Sequence, residues 1–398
     1  MKAVVFKNIG QIALEDVSSP TIKEQKDAII AITTSAICGT DLHLVRGAVA
    51  GMKPGTVLGH EAVGVIKSIG TDVHMFKVGD RVIVPSTIAC GRCQYCEQKL
   101  YAQCDNSNPH GPHAGTAFYG GPADSGPFQG MQAEQVRVPF ADVNLVKIPD
   151  NLTDEQVILL SDILPTSYMA VELADVKPSD TVAVFGCGPV GQLAVACLKI
   201  KGVKKIFAID RVVDRLEQAA SQGAHPINFE QVDPVKELMA LTNNNGPSKV
   251  IDAVGVDAEK PSWCTKEESK QFEEEVHNVA PRTNPDGKNW IPGSGPSQAL
   301  NWAVKSVAKC GTISIIGVYA DESRSFLIGD AMNKNLVVRM GNCNHRAYFP
   351  QLLEWVLQKK INLVPFISHR VPLSAAVNAY KHFDVREKGW HKVILKVS

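Results

Sequence analysis

The chain has 398 residues, 44% apolar and 21% charged, which is ordinary for a soluble protein and leaves room for two or three cored domains. Its 41 basic and 41 acidic side chains cancel, so the charge points to neither nucleic acid nor an anionic membrane as a partner. Ten cysteines with no secretory leader fit a reducing, cytoplasmic setting in which thiols act as ligands rather than disulfides.

The N-terminal apolar run, residues 1–6, is too short for the hydrophobic core of a leader and reads as a strand. Up to about residue 150 the sequence is β-rich. Short apolar runs at 28–33, 62–66 and 81–85 lie between turn signals such as Val78-Gly79-Asp80. Cys38, in Cys38-Gly39-Thr40-Asp41-Leu42-His43, and His60, in Gly59-His60-Glu61, offer a thiolate and an imidazole. Local spacing decides neither: alone, Cys38 reads as a small buried hydrophobe and His60 as a hydrogen-bonded core residue.

Cys90, Cys93, Cys96 and Cys104 crowd into one short stretch. Soft anionic thiolates suit zinc, and four of them fill a tetrahedral shell. The stretch at about 88–106 therefore reads as a structural zinc lobe, which staples a loop and leaves no position open for chemistry. The alternative is four free or disulfide-bonded thiols. Residues 105–130, rich in Gly, Pro, Asn and His, read as a long loop in which His110 and His113 are solvated rather than ligating.

Thr153 suits the start of a helix. From residue 181, strands at 181–185, 205–209, 249–253 and 312–316 alternate with helical periodicity at 192–201, 213–222, 234–241 and 298–308. That alternation implies a parallel sheet with helices on both faces. The uncharged stretch between Asp180 and Lys199 approaches a membrane span in length, but Gly186, Gly188, Pro189 and Gly191 break it into strand, turn and helix.

Gly186-Cys187-Gly188-Pro189-Val190-Gly191 satisfies G-x-G-x-x-G in the context a dinucleotide requires, after a strand and at the start of a helix. The glycines permit a tight turn, close approach of a pyrophosphate, and tight helix–strand packing. Asp210 ends the next strand, where an acid bonds the adenosine ribose and repels a 2′-phosphate, favouring NAD over NADP. Arg211 and Arg215 stand nearby as groups that could accommodate that phosphate; a ligand-free packing turn is the alternative.

Residues 256–297 interrupt the alternation with an acidic run at 267–275 and a Pro/Gly/Asn-rich run. A connection of this length points to a functional insertion, and Trp263 and Trp290 argue for burial rather than a disordered loop. A helix at 350–358 and a strand at 392–397 close the chain.

Taken in order, Cys-Gly-Thr-Asp-x-His, Gly-His-Glu, the four-cysteine lobe and the glycine motif followed by Asp resemble the zinc-containing medium-chain alcohol dehydrogenases over nearly the whole chain. Ser161-Asp162-Ile163-Leu164-Pro165-Thr166 and the long insertion are most similar to the glutathione-independent formaldehyde dehydrogenase branch.

The resemblance implies an α/β chain with a β-rich, GroES-like catalytic domain over 1–164 and a doubly wound Rossmann domain over 165–341. The insertion lies at about 256–297, and residues 342–398 return to the catalytic domain. It implies a catalytic zinc on Cys38, His60 and Asp162 with one position open, and Glu61 as a supporting or alternative ligand. Many relatives have cysteine where this chain has Asp162, a harder ligand that should leave the metal a stronger Lewis acid.

Thr40 would accept the substrate proton, which passes through the cofactor ribose to His43. Gly186, Gly188, Pro189, Val190, Gly191, Asp210 and Arg215 would hold NAD, with the insertion over its adenosine end. The implied reaction is hydride transfer between NAD and an alcohol or aldehyde hydrate. Formaldehyde or a short primary alcohol is the expected substrate, and a retained cofactor would permit aldehyde dismutation.

A dimer or tetramer is expected by the same analogy, and substrate and nicotinamide would meet between the two domains. A polyol or threonine-type zinc dehydrogenase is the nearest alternative, since the 105–130 loop matches no one substrate subgroup. A non-catalytic relative is the alternative of another class, against which the presence of all three ligands counts.

Overall fold

Residues 1–108, 110 and 115–397 are described by a computed structural model. The first strands among them are β1 (Lys2–Asn8), β2 (Gln11–Asp16), β3 (Ala28–Ile37), β4 (Ala62–Ile69), β5 (Arg81–Val84), β6 (Gln135–Val138) and β7 (Val146–Lys147). There follow β8 (Thr181–Phe185), β9 (Lys205–Asp210), β10 (His225–Asn228), β11 (Lys249–Asp252), β12 (Thr312–Ile315) and β13 (Val337–Met340). The last are β14 (His369–Pro372) and β15 (Val393–Lys396). The chain divides into two units. One holds Met1–Pro165, Asn284–Trp290 and the chain from Asn342 on; the other holds Thr166–Thr283 and Ile291–Gly341.

The first unit is built on a sheet of order β14-β15-β3-β4-β5-β7, with β6 also paired to β3. Period-two alternation explains its core: Ala28, Ile30 and Ile32 of β3 point to one face and pack with Ile66, Val82, Val84, Val136 and Val138. The second unit holds a parallel sheet of order β10-β9-β8-β11-β12-β13. Its strand order reverses between β8 and β11, and in such sheets ligands bind outside the strand carboxyl ends at that switch. Phe185, Ile209, Val250 and Ile313 meet Leu238, Trp302 and Val304 of the covering helices in its core. No helix among the described residues is long and apolar enough to cross a membrane.

The insertion differs from a loop. Its acidic run lies in a helix, Lys266–Val279. Thr265 caps that helix: its hydroxyl accepts the Glu268 N–H at 3.2 Å, and the Glu268 carboxylate accepts the Thr265 N–H at 3.1 Å. Acidic residues in a first turn are favoured by the helix dipole, and only Phe272 and Val279 are buried, so the apolar period is faint in the sequence. The helix near the C-terminus also starts earlier than expected, at His345, and runs to Leu357 with Pro350 inside it. Trp263 departs from its expected burial: it is 43% exposed, with its indole N–H donated to the Phe229 carbonyl at 2.8 Å.

Trp290 behaves as expected and is 1% exposed. It lies among Val4, Phe6, Leu42, Leu44, Tyr380 and Phe383 of the first unit. Its backbone N–H donates to Asp384 Oδ2 at 2.7 Å, and Arg46 Nε donates to Asp384 Oδ1 at 2.8 Å. Asn289 Nδ2 bonds the Lys381 carbonyl at 2.7 Å. Residues Asn284–Trp290 are thus a strap sewn into the core behind the helix Gly39–Arg46. Trp290→Ala should cost the first unit about 3–5 kcal/mol in urea unfolding, as expected for a buried aromatic. A loss under about 1 kcal/mol would show that the strap is not anchored by its indole.

Candidate active site and metal centres

Three local structures bring one cluster together. Cys38 follows β3 in extended backbone and caps the helix Gly39–Arg46, its N–H donated to Asp41 Oδ2 at 2.9 Å. His60 and Glu61 precede β4 and follow Gly59, which has φ +93°; a Cβ there would stand 2.4 Å from Gln132 Cγ, so only glycine fits. Asp162 comes just after the 3-10 turn Ile158–Leu160 and just before the helix Ile163–Leu173, whose N-terminus favours a carboxylate.

Ligand atoms of Cys38, His60, Glu61 and Asp162 all lie within 4.8 Å of one another, and all four residues are buried. Asp162 Oδ2 is 3.6 Å from Cys38 Sγ and 3.5 Å from His60 Nε2. A tetrahedral zinc with sulfur at about 2.3 Å and nitrogen or oxygen at about 2.0 Å has edges of roughly 3.3–3.5 Å, so these separations suit a single ion. Glu61 Oε1 pairs with the buried Lys392 ammonium at 2.5 Å, while Glu61 Oε2 is buried with no hydrogen-bond partner. An orphaned carboxylate oxygen on a member of such a donor set is the kind of atom a cation satisfies. The donor set therefore fits zinc.

The surroundings orient these groups. His60 Nδ1 lies 3.2 Å from Asp41 Oδ1, an ion-pair contact too poorly aligned to be a hydrogen bond. Asp41 Oδ2 also accepts from Gln132 Nε2 at 3.1 Å, and the Tyr380 hydroxyl donates to Gln132 Oε1 at 2.7 Å. Burial pushes the Cys38 thiol and the Glu61 carboxyl up from their ordinary pKa values. Burial opposes charge on Asp162 too, but hydrogen bonds from His345 and His60 outweigh it and hold that carboxyl well below its usual range. For His60, burial is outweighed by Asp41 and Cys38, which raise it well above its ordinary value. A cation binding here would compete with protons for the thiol and the imidazole, because the thiolate and the neutral ring are the ligating forms.

Thr40 and His43 lie on the helix that Cys38 caps. Thr40 is half-buried and His43 is buried, not a surface histidine. Phe118, from the 105–130 loop, packs T-shaped with His60, with ring centroids 6.1 Å apart.

In the cysteine lobe, Cys90 and Cys96 sulfurs are 3.9 Å apart, as are those of Cys93 and Cys104. Four zinc thiolates have edges of about 3.8 Å. A disulfide would need about 2.05 Å, and all ten cysteines are free. N–H groups of Cys90, Arg92 and Asn106 point at these sulfurs, at 3.1 Å to Cys104 and at 3.4 and 3.2 Å to Cys90. His110 is exposed and lies 3.5 Å from Asp124, while His113 falls outside the described residues.

The glycine motif joins β8 to the helix Pro189–Ile200. Gly186 has φ +87°, and a Cβ on Gly191 would stand 1.8 Å from the Gly186 carbonyl oxygen. At Gly188 a Cβ would meet nothing nearer than Arg215 Nη1 at 3.8 Å. The protein itself does not require glycine there, which leaves a cradle open to a ligand against the helix N-terminus. Asp210 Oδ2 accepts the Cys187 N–H at 2.8 Å, and its Oδ1 accepts those of Arg211 and Val212 at 2.7 and 2.9 Å. Asp210 therefore also ties the glycine turn to the end of β9.

The sequence matches two family patterns, the alcohol dehydrogenase GroES-like domain over residues 24–150 and the zinc-binding dehydrogenase over 189–261. It is 36% identical to the uncharacterized zinc-type alcohol dehydrogenase-like protein AdhB of Bacillus subtilis (strain 168), covering 100% of both chains. The chain belongs to the zinc-containing medium-chain alcohol dehydrogenases. This dehydrogenase is also 32% identical to the glutathione-independent formaldehyde dehydrogenase of Bacillus subtilis (strain 168), over 85% of this chain and 80% of that one. Its fold matches the alcohol dehydrogenase TADH from Thermus sp. ATN1 with a TM-score of 0.83 at 35% identity, covering 100% of both chains.

Sequence reasoning missed two residues of the first cluster's surroundings, His345 and Lys392. His345 Nε2 lies 2.9 Å from Asp162 Oδ1, and Lys392 holds Glu61. Both come from the C-terminal segment, where no local motif marks them. Metal analysis of this dehydrogenase should find about two zinc ions per chain. Cys96→Ser and His60→Ala should each lower the content to about one, because each removes a ligand from only one of the two clusters. Loss of both metals in the His60 variant would contradict two separate sites.

Proposed function

We propose that this dehydrogenase moves a hydride between NAD and a short primary alcohol or aldehyde hydrate, with formaldehyde hydrate as the preferred substrate. The observation that carries the reading is the buried set of Cys38, His60 and Asp162, in which a hard carboxylate joins one thiolate and one imidazole. Zinc held there supplies a Lewis acid that lowers the pKa of a substrate hydroxyl. NAD, cradled at Gly186, Gly188, Pro189, Val190 and Gly191, supplies the hydride acceptor.

The chain's own residues handle the proton. The Thr40 hydroxyl, able to accept and donate, takes it from the substrate, and His43 receives it onward with an imidazole suited to neutral pH. Lys392 holds Glu61 by one oxygen and leaves the other free to act as an alternative ligand.

Phe118 places an apolar ring beside His60, which supports a small substrate over a polyol. The formaldehyde dehydrogenase among the relatives supports the same reading.

Two features support NAD over NADP and its retention. Arg211 is engaged in an ion pair with Glu259, which removes its charge from competition for a 2′-phosphate. Ser262 and Trp263 bond Glu230 and Phe229, just beyond β10, so the start of the insertion lies on the Asp210 side of the sheet, where Asp210 and Arg215 would meet the adenosine. The exposed β13 edge, with Val337, Met340 and the nearby Ile328 and Met332, supports assembly with further copies of the chain as a dimer or tetramer. Ten free thiols suit a cytoplasmic location.

The test adds labelled formaldehyde to extensively dialysed protein without added NAD and follows methanol and formate by NMR. Equal amounts of both are expected, since a retained cofactor would alternate between its two forms. Turnover only after NAD is added would contradict retention. No turnover of formaldehyde or short primary alcohols even with NAD would overturn the substrate reading.

A further inference from the structure

We propose that His345 is a positioning residue of the metal centre, which holds Asp162 to a single ligating oxygen and so keeps one metal position open. The proposal rests on the reading of Cys38, His60 and Asp162 as metal ligands.

The two oxygens of Asp162 face different partners. Oδ2 points into the cluster, at 3.6 Å from Cys38 Sγ and 3.5 Å from His60 Nε2. Oδ1 lies 2.9 Å from His345 Nε2. An ionised carboxylate only accepts, so Nε2 carries the proton and donates it to Oδ1. His345 is itself fixed. Its Nδ1 lies 3.1 Å from Thr87 Oγ1, and it is fully enclosed at the start of the helix His345–Leu357. The preceding residue is held too, since Asn344 Oδ1 accepts the Ala102 N–H at 2.9 Å. Both the ring and the turn that carries it are thus tied to the surrounding chain.

This arrangement has a chemical consequence. A carboxylate can bind a cation through one oxygen or both. Binding through both would fill the position that substrate needs and lower the Lewis acidity. With Oδ1 turned to His345 and one of its lone pairs engaged there, Oδ2 is the oxygen presented to the metal. A thiolate at position 162 would have one donor atom and no such choice, so a positioning donor of this kind is needed because the ligand is an aspartate. Partners that orient ligands in this way commonly change metal affinity by about 10–100-fold when removed.

The test leaves zinc in the four-thiolate lobe and exchanges cobalt into the other cluster. His345→Phe keeps an aromatic ring without a donor, His345→Ala removes the donor without crowding, and His345→Gln offers an amide N–H in place of Nε2. The wild-type protein should show the intense visible bands of four-coordinate cobalt. The Phe and Ala variants should show the weaker bands of higher coordination and hold the metal about 10–100-fold less tightly against a chelator, with lobe zinc retained. The Gln variant should restore both properties. Wild-type bands and affinity in a folded Phe or Ala variant would overturn the proposal, as would a Gln variant no better than Ala. A wild-type protein that takes up no cobalt at this cluster would instead overturn the metal reading on which the proposal rests.

Discussion

The first unit of this dehydrogenase has to solve one electrostatic problem, the burial of several ionisable groups around a single point. Cys38, His60, Glu61 and Asp162 are all out of water. Burying an ionised group without compensation costs many kcal/mol, and buried charges are normally paired or coordinate a metal. Asp41, Lys392 and His345 supply part of the compensation from outside the cluster. A cation bound inside it would supply the rest. The orphaned Glu61 oxygen marks the place where pairing within the protein stops.

The scaffold serves this point from distant parts of the chain. β3 delivers Cys38, the turn into β4 delivers His60 and Glu61, and the start of the helix Ile163–Leu173 delivers Asp162. The C-terminal segment returns to add His345 and Lys392. The strap Asn284–Trp290 leaves the second unit's stretch of chain to pack its tryptophan behind the helix that Cys38 caps. Rigid packing there would suit a metal centre, which tolerates only small displacements of its donors. The four-cysteine lobe, by contrast, is assembled almost wholly from neighbours in sequence, as suits a structural staple.

That difference explains what could be read from the sequence. The lobe and the glycine motif are local, so spacing alone singled out their residues, and β8, β9, β11 and β12 followed from apolar runs between turn signals; the short edge strands β10 and β13 have too little apolar pattern to mark them. The first cluster is non-local: Cys38, His60 and Asp162 have ambiguous surroundings in sequence, and only the resemblance to a family joined them. His345 and Lys392 stayed hidden because their roles arise from tertiary pairing. The helix Lys266–Val279 was hidden for another reason. It buries little apolar surface, so its charges dominated the pattern and its cap was the only local sign. Trp263 shows the reverse: a tryptophan can stay exposed when its N–H is satisfied, as here by the Phe229 carbonyl.

A metal among mixed ligands that include a carboxylate, separate from the all-thiolate lobe, has its own spectroscopic signature. Zinc K-edge X-ray absorption of the purified protein reads it. Two superposed shells are expected, sulfur at about 2.3 Å and nitrogen or oxygen at about 2.0 Å. Asp162→Ala, which leaves the cysteine lobe untouched, should weaken only the nitrogen and oxygen shell relative to sulfur. A spectrum of sulfur alone in the wild-type protein would contradict such a site, because the cluster around Asp162 would then hold no zinc.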